Sequence, residues 1–497
     1  MRGGGCRVAA VDLGAASGRV VIGYRTDRGF SLREVHRFPN QPRTAGGVLR
    51  WDARALFAGI LDGLRAAGAG GEPVDSVSVD GWGVDYGLLD GDGRLIADPA
   101  NYRDGRTRAP FSAVTIEGGV GGVDAARLYQ ATGTAVHSFN TVFQLMAERD
   151  LDRARHVLLV PDLMTYWLSG QLGTELTNAS TTGLLDTRVM SWADRVAEAL
   201  AVPVKMFPAL QPAGALAGPA ACDLGLARPP QVIVGPSHDT AAAVAAVPAD
   251  GEGFAFVSTG TWALAGVELP APVVTDAARE AGFSNEVGID GTIRFLRNVT
   301  GFWLLQECAR EWRADGRGVD LGQLTRAASD VRGLRALVDV QDPAFVAPGG
   351  MTARIVRACL RTSGVTPDGE AGIVRCILDS MAVAIRHAVR DAARVTGRPV
   401  RTVHVVGGGV ASPVFCQLVA DACGLPVVAG PTEAASWGNV LVQARALGVT
   451  GASLPELRSF VRRGTRLDSY QPDEQEEAWE RADEIVLASR DRGPGLS

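Results

Sequence analysis

Near its start the chain carries two apolar runs around a tip of small residues, Val8-Ala-Ala-Val-Asp12-Leu-Gly14 and then Ala15-Ala16-Ser17-Gly18-Arg19-Val-Val-Ile22. An apolar run that enters and leaves a Gly-rich turn predicts a β-hairpin with a tight tip. The pattern returns half a chain later in Phe254-Ala-Phe-Val-Ser258-Thr259-Gly260-Thr261-Trp262-Ala-Leu-Ala-Gly266. The two stretches lack alignable identity, so they read as an architectural echo of two related domains. Around them strand-like and helix-like pieces alternate, as in α/β proteins. Helical spacing predicts helices over 56–67, 140–149, 163–168 and 374–396, the last with Ile377, Met381, Ile385 and Val389 along one side. Strands are expected over 74–84, 231–234 and 402–406, with Asp90-Gly-Asp-Gly93 as a hairpin turn and residues 203–230 as a connector. Residues 413–423 read as a helix capped by Gly424, and the tail from Pro472 as an acidic surface helix with a solvated face. Turn residues cluster at Pro248-Ala-Asp-Gly-Glu-Gly253, which divides the chain into domains 1–248 and 249–497.

Three places could carry chemistry. At the first hairpin tip little side-chain bulk covers the backbone N–H groups, so a phosphate could approach them. Asp12 stands where the strand meets that tip, a place to hold a hydrated Mg²⁺ beside the phosphate; an ordinary turn with a solvated Asp is the alternative. The turn Gly407-Gly408-Gly409 opens onto a helix and could bed a nucleotide, although any tight turn can use glycines. Gly235-Pro-Ser237-His238-Asp239-Thr240 follows an apolar strand and precedes an alanine-rich helix. Its Ser, Asp and Thr suit a helix N-cap, and a carboxylate at a strand end suits a general base. A Ser-His-Asp triad fits poorly, because consecutive residues cannot easily form the required hydrogen-bond chain.

Bulk properties narrow the choice. At 497 residues, 46% hydrophobic and 21% charged, the chain has room for two cores. A net charge of −6 argues against a nucleic-acid binder. Met1 to Cys6 contain no apolar leader, Arg2 stands where myristoylation needs glycine, and the alanine-rich run 240–247 is too short to span a bilayer. A cytoplasmic protein without membrane association is expected. Seven cysteines form no Cys-x-x-Cys pair and no metal spacing, which favours free thiols; Cys359 and Cys376 could pair across a short loop. The one lysine, Lys205, has no glycine near it, so a P-loop is excluded, and the His-Arg-Asp and Asp-Phe-Gly triplets of protein kinases are absent.

In order along nearly the whole chain, the motifs resemble the FGGY carbohydrate kinases. The resemblance rests on Asp12-Leu-Gly14-Ala-Ala-Ser17-Gly18-Arg19, Asp80-Gly-Trp82-Gly83-Val-Asp85, Tyr102-Arg103-Asp104-Gly-Arg106-Thr107 and Phe139-Asn140-Thr141. It continues through Pro161-Asp162, Thr177-Asn178-Ala179, Ser237-His238-Asp239-Thr240, Ser258-Thr-Gly-Thr261-Trp262 and Arg297-Asn298-Val-Thr-Gly301-Phe-Trp303-Leu-Leu-Gln306. Val406-Gly407-Gly408-Gly409, Ala422-Cys423-Gly424 and Gly430-Pro431-Thr-Glu433-Ala434 complete it. The resemblance implies an actin-like, RNase H-like α/β fold of two related domains with ATP and sugar in a central cleft. It places the sugar and the first phosphate hairpin with 1–248, and the second hairpin and adenosine site with 249–497. Ala15, Ala16, Ser17, Gly18, Arg19, Thr261, Gln306 and Gly408 would contact ATP. Gly83, His238, Asp239, Thr240 and Asn298 would contact the sugar, with Asp239 as base and Mg²⁺ reached from Asp12 through water. The Trp-Gly-Val-Asp and Ser-His-Asp-Thr elements point to the branch that phosphorylates L-rhamnulose at its 1-hydroxyl. L-fuculose or L-xylulose are alternative substrates, a non-catalytic nucleotide-dependent sugar sensor is a rival of another class, and a monomer or homodimer is expected. Ala15-Ala16 replaces a common Ala-Ser, Gly81 a common Thr, and Trp437 sits where small residues are usual, which could perturb the nucleotide pocket.

Overall fold

The chain's first apolar run becomes the central strand of a mixed sheet. In the computed structural model, which describes residues 6–27, 29–260, 262–473 and 476–490, the chain divides into two units. The first holds the chain up to Asp250 together with Glu268–Phe295 and Glu433–Thr465; the second holds Gly251–Val267, Leu296–Thr432 and the chain from Arg466. The sequence boundary near 248 falls beside the first of these breaks, and two later segments pack with the first unit as well. The leader and myristoylation readings at Met1 to Gly5 lie outside the described residues.

The first unit's sheet runs Leu216–Pro219, Gln231–Ile233, Ser76–Gly81, Arg7–Leu13, Ser17–Thr26, Gly29–Pro39. Arg7–Leu13 is parallel to Ser76–Gly81 and antiparallel to Ser17–Thr26. It reads as an unbroken apolar run because both of its faces are covered. Ala9 and Val11 pack in one cluster with Leu56, Ile60 and Leu64 of the helix Ala53–Gly68. Val8 and Ala10 pack in another with Trp437, Val440 and Leu441 of the helix Ala434–Ala446. Asp52 caps the first helix by accepting the Ala55 N–H at 3.0 Å. Gly63 lets that helix lie against the sheet, since a Cβ there would meet Val20 Cγ2 at 2.2 Å. Trp437 is therefore a core residue of the first unit, 5% exposed beside Phe30 and Leu457. The connector also differs from expectation: it contributes the edge strand Leu216–Pro219.

In the second unit the hairpin strands belong to a seven-stranded sheet that runs Ser284–Val287, Ile293–Thr300, Trp262–Leu269, Phe254–Thr259, Thr402–Gly407, Val427–Ala429, Asp468–Tyr470. The unit's longest helix, Gly369–Thr396, buries Ile377, Met381, Ile385 and Val389 as expected, and Leu378, Val383, Arg386 and His387 as well, so it is enclosed on most sides. The tail helix Glu476–Arg490 accounts for part of this and corrects the solvated-face reading. It buries Trp479, Ala482 and Val486, and places Glu476 2.6 Å from Arg386 and Asp483 2.7 Å from His387. All seven cysteines are free; the buried Cys359 and Cys376 sulfurs lie 3.3 Å apart in thiol contact.

Candidate active site

Three adjacent strands of the first unit set three charged residues side by side. Asp12 is in register with Asp80 on its parallel neighbour and with Arg19 on its antiparallel neighbour. Arg19 donates from Nε and Nη2 to Asp12 Oδ2 at 3.0 and 2.6 Å, and its Nη1 pairs with Glu433 at the start of the helix Ala434–Ala446. Burial alone would lower the Arg19 guanidinium; Asp12 and Glu433 raise it instead, so it stays charged. Asp80 is wholly buried. Asn439 Nδ2 donates to its Oδ2 at 2.5 Å, while its Oδ1 has no partner. Burial pushes the Asp80 carboxyl well above the usual range, with Asp12 and Asp239 adding to the effect and Asn439 opposing it.

The Ser237-His238-Asp239-Thr240 segment lies at the end of this array. Gly81 N–H donates to Ser237 O at 3.0 Å, and Gly81 and His238 form a parallel bridge that extends the sheet. Glu175 builds this corner: it accepts Ser237 N–H at 3.0 Å and Thr177 N–H at 2.9 Å, while Thr177 Oγ1 accepts His238 N–H at 3.3 Å. Burial raises the Glu175 carboxyl, and these donors oppose the rise. Asn178 Nδ2 adds a bond to Ser237 O at 3.3 Å. The Thr177-Asn178-Ala179 motif thus holds the loop that presents His238 and Asp239. Asp239 opens the helix Asp239–Ala245, and its Oδ1 accepts the Thr240 hydroxyl at 3.1 Å and lies 3.5 Å from His238 Nε2. Packing around Asp239 raises its carboxyl, His238 opposes this and Asp12 adds to it, although about a third of the side chain (35%) remains exposed.

Gly83 belongs to the same corner. A Cβ there would come within 2.8 Å of Thr181 Oγ1, which itself donates to Asn178 O at 2.8 Å. Val84 follows with φ +68°, a strained conformation for a β-branched residue and the kind that clusters at functional sites. Trp82 Nε1 donates to Asp85 Oδ2 at 3.1 Å, and Trp51 Nε1 donates to the same oxygen at 2.6 Å. Burial lifts the Asp85 carboxyl to about 6 against these donors.

In the second unit the hairpin Phe254–Thr259/Trp262–Leu269 and the glycine turn are pinned together. Thr259 and Gly407 are register partners on parallel strands. Thr259 Oγ1 donates to Val406 O at 2.6 Å and accepts Gly409 N–H at 2.8 Å. Gly407 has φ +84°, and a Cβ there would lie 2.4 Å from Thr259 O, so glycine is required. Gly408 follows at the head of that turn; Thr261 lies outside the described residues. Gln306 is an exposed residue of the helix Phe302–Ala314, whose Phe302 packs edge-on against Phe415 of the helix that follows the glycine turn. Asn298 lies on Ile293–Thr300, its carbonyl accepting Gln341 Nε2 at 2.5 Å.

The first unit thus gathers Asp12, the Ser17-Gly18-Arg19 strand start, Gly83, His238, Asp239 and Thr240; the second gathers the Thr259 tip with Gly408 and holds Asn298 and Gln306. Ala15 and Ala16 span the first tip, where Gly14 N–H donates to Ser17 O at 3.1 Å. Sequence reasoning missed Glu175, Glu286, Arg294 and Asn439 and gave Glu433 no role. The usable signal for Arg294 was a charge among the apolar residues that open Ile293–Thr300, whereas Glu286 stands in the largely polar strand Ser284–Val287, which gave none. Among the described residues no group of three or more His, Cys, Asp or Glu side chains is arranged to hold a metal directly.

The chain is similar to known proteins along nearly its whole length. The N-terminal and C-terminal domain models of the FGGY family of carbohydrate kinases match residues 8–246 and 255–447. A rhamnulokinase of Bacteroides thetaiotaomicron is 36% identical over 483 residues, covering 95% of this chain and 97% of that protein. One from Pectobacterium carotovorum is 37% identical over 473 residues, covering 94% and 93%. Among solved structures, xylulose kinase of Lactobacillus acidophilus superposes with a TM-score of 0.78 at 15% identity, covering 98% of this chain and 97% of that one. Glycerol kinase of Plasmodium falciparum with ADP gives 0.75 at 12% identity, covering 99% of each. The fold is the two-domain α/β fold of the actin-like ATPases. The chain belongs to the FGGY family of carbohydrate kinases, enzymes that move a phosphoryl group from ATP, with Mg²⁺, to a sugar. No helix among the described residues is long and apolar enough to cross a membrane.

Proposed function

We propose that the enzyme transfers the γ-phosphoryl group of ATP to the 1-hydroxyl of L-rhamnulose, giving L-rhamnulose 1-phosphate and ADP in L-rhamnose catabolism. The observation that carries this reading is identity of 36–37% to rhamnulokinases along nearly the whole chain, across both family domains. In this reading Asp239 takes the proton of the primary hydroxyl as the new phosphorus–oxygen bond forms. Its raised carboxyl favours that role, since a stronger conjugate base accepts a proton more readily. Gly83, His238, Thr240 and Asn298 bind the sugar. Ala15 to Arg19 present backbone donors to the phosphates, and Thr261, Gln306 and Gly408 bind the rest of the nucleotide. Asp12 addresses Mg²⁺ through water. Asp12 raises the carboxyls of both Asp80 and Asp239, so added positive charge fits the first unit's array. When bound, Mg²⁺ offsets the charge that spreads over the phosphoryl oxygens. Positioning then does most of the remaining work. The enzyme acts in the cytoplasm, a compartment that its free thiols suit, as a monomer or homodimer.

Initial rates with ATP and Mg²⁺ on L-rhamnulose, L-fuculose, L-xylulose, D-xylulose and glycerol test the assignment. L-Rhamnulose should give the highest kcat/KM. A substrate differing by one methyl group can follow within about 10–200-fold, whereas losing a buried polar partner costs more. Glycerol or D-xylulose as the best substrate overturns the reading.

A further inference from the structure

Behind His238 lies a buried ion pair that none of the roles above uses. Arg294 and Glu286, with side chains 0% and 8% exposed, lie 3.0 Å apart. Arg294 is tethered on three sides. Its Nε and Nη2 donate to Val287 O at 3.1 and 3.0 Å, and Nη2 also donates to Thr177 O at 3.3 Å. Nη1, the nitrogen that lies 3.0 Å from Glu286 Oε2 and has two hydrogens to donate, is also 3.1 Å from His238 Nδ1. A guanidinium only donates hydrogen bonds, so at this contact Nδ1 is the acceptor and carries no proton. The ring proton is then on Nε2, and Nε2 is the atom 3.5 Å from Asp239 Oδ1. Glu286 Oε2, 3.4 Å from the same Nδ1, favours the opposite tautomer. Arg294 is the nearer group, and its charge already pairs with that carboxylate. The other charged or titratable groups around the cluster are Glu175 and Glu268, which act on Arg294, and His137, which acts on Glu286.

We infer that Arg294, braced by Glu286, is a positioning residue that fixes His238 as its Nε2–H tautomer, a donor aimed at Asp239 and unable to serve as the base. This rests on the proposed role of Asp239 and deepens it. With Nδ1 engaged by Arg294 and Nε2 protonated, the imidazole has no free lone pair for a sugar hydroxyl proton. The tautomer of a histidine is set by the bond made at its other nitrogen. The Nε2–H group, 3.5 Å from Asp239 Oδ1, in turn supports the anionic form of that carboxylate.

Proton–nitrogen NMR of the full-length protein labelled with ¹⁵N-histidine reads the tautomer directly. The chain has six histidines, and His238→Gln identifies the resonance by its disappearance. The wild type should show a bare Nδ1 and a protonated Nε2. In Arg294→Met the proton should move to Nδ1, toward Glu286, and kcat should fall about 10–100-fold, the usual cost of an outer-shell partner, with KM for ATP unchanged. If Arg294→Met does not fold, Glu286→Leu/Arg294→Met removes both charges and should show the two tautomers mixed. A protonated Nδ1 in the wild type overturns the inference, as does an unmixed Nε2–H form in either variant. Wild-type protein with the expected tautomer but no ketose kinase activity defeats the functional reading alone. A protonated Nδ1 in an enzyme fully active on L-rhamnulose defeats only this inference.

Discussion

The two units are built on one strand topology. In each, a central strand is antiparallel to the strand that follows it and parallel to a later one. That strand has a further parallel neighbour, and an antiparallel strand closes the edge. The echo seen in the sequence is therefore a repeat of topology. The ends of the central strands differ. In the first unit Asp12 stands beside Asp80 and Arg19. In the second, Ser258 and Thr259 stand beside Val406 and Gly407, and the Thr259 hydroxyl joins Val406 O to Gly409 N–H. Proton transfer and cation handling need carboxylates, whereas an anion is met by backbone N–H groups. In the proposed function the first copy therefore serves the base and Mg²⁺ as well as the phosphates, and the second serves the nucleotide alone.

This contrast can be broken or sharpened by substitution. The largest effect is expected for Asp12→Asn, which removes the carboxylate that Arg19 grips. It should lower kcat about 10²–10³-fold, the scale of losing one preorganised electrostatic partner. Turnover near wild type in steady-state assays would mean that the first tip, like the second, works through its backbone alone. A smaller, different effect is expected for Thr259→Val. Losing the hydroxyl that joins Val406 O to Gly409 N–H should cost about 1–3 kcal/mol of stability. It should also raise KM for ATP about tenfold while leaving KM for the sugar unchanged, as two-substrate kinetics can show. The smallest concerns Asp80→Asn. Because the folded protein raises the Asp80 pKa, its charged form opposes folding, and that penalty grows as pH rises above the unfolded value. Asp80→Asn should therefore raise Tm at pH 8, by about 2–4 °C for each kcal/mol relieved, and the gain should vanish toward pH 3. A gain independent of pH in a thermal melt would show that charge is not its cause.

The sequence made the local elements legible and left the long-range ones hidden. Both hairpins, the helix Ala53–Gly68 and the Gly424-capped helix Pro413–Cys423 follow from periodicity and turn residues within one short window. Asn439 reaches Asp80 from 359 residues away, and no local pattern announces that pairing. Glu175 is hidden for a different reason: a buried carboxylate that receives several N–H groups looks in sequence like any polar residue before a short helix. The tail misled because its acidic residues suggested solvent, while Trp479, Ala482 and Val486 at helical spacing form the face that docks. Where His238 stands was legible; which of its nitrogens holds the proton depends on Arg294, which folding brings from 56 residues away.

Asp239 is the proposed base, served by the charged array of the first unit. The most direct test compares Asp239→Asn with His238→Asn in single-turnover phosphoryl transfer to L-rhamnulose. Asp239 is the first residue of its helix, with His238 at the N-cap; Asn has the same shape but cannot take the proton, so stability should be retained. Asp239→Asn should keep its Tm and ATP affinity and lose roughly 10²–10⁴-fold in rate, while His238→Asn loses less. An Asp239→Asn enzyme within about threefold of wild type, beside an inactive His238→Asn, would contradict the claim and assign the proton to His238.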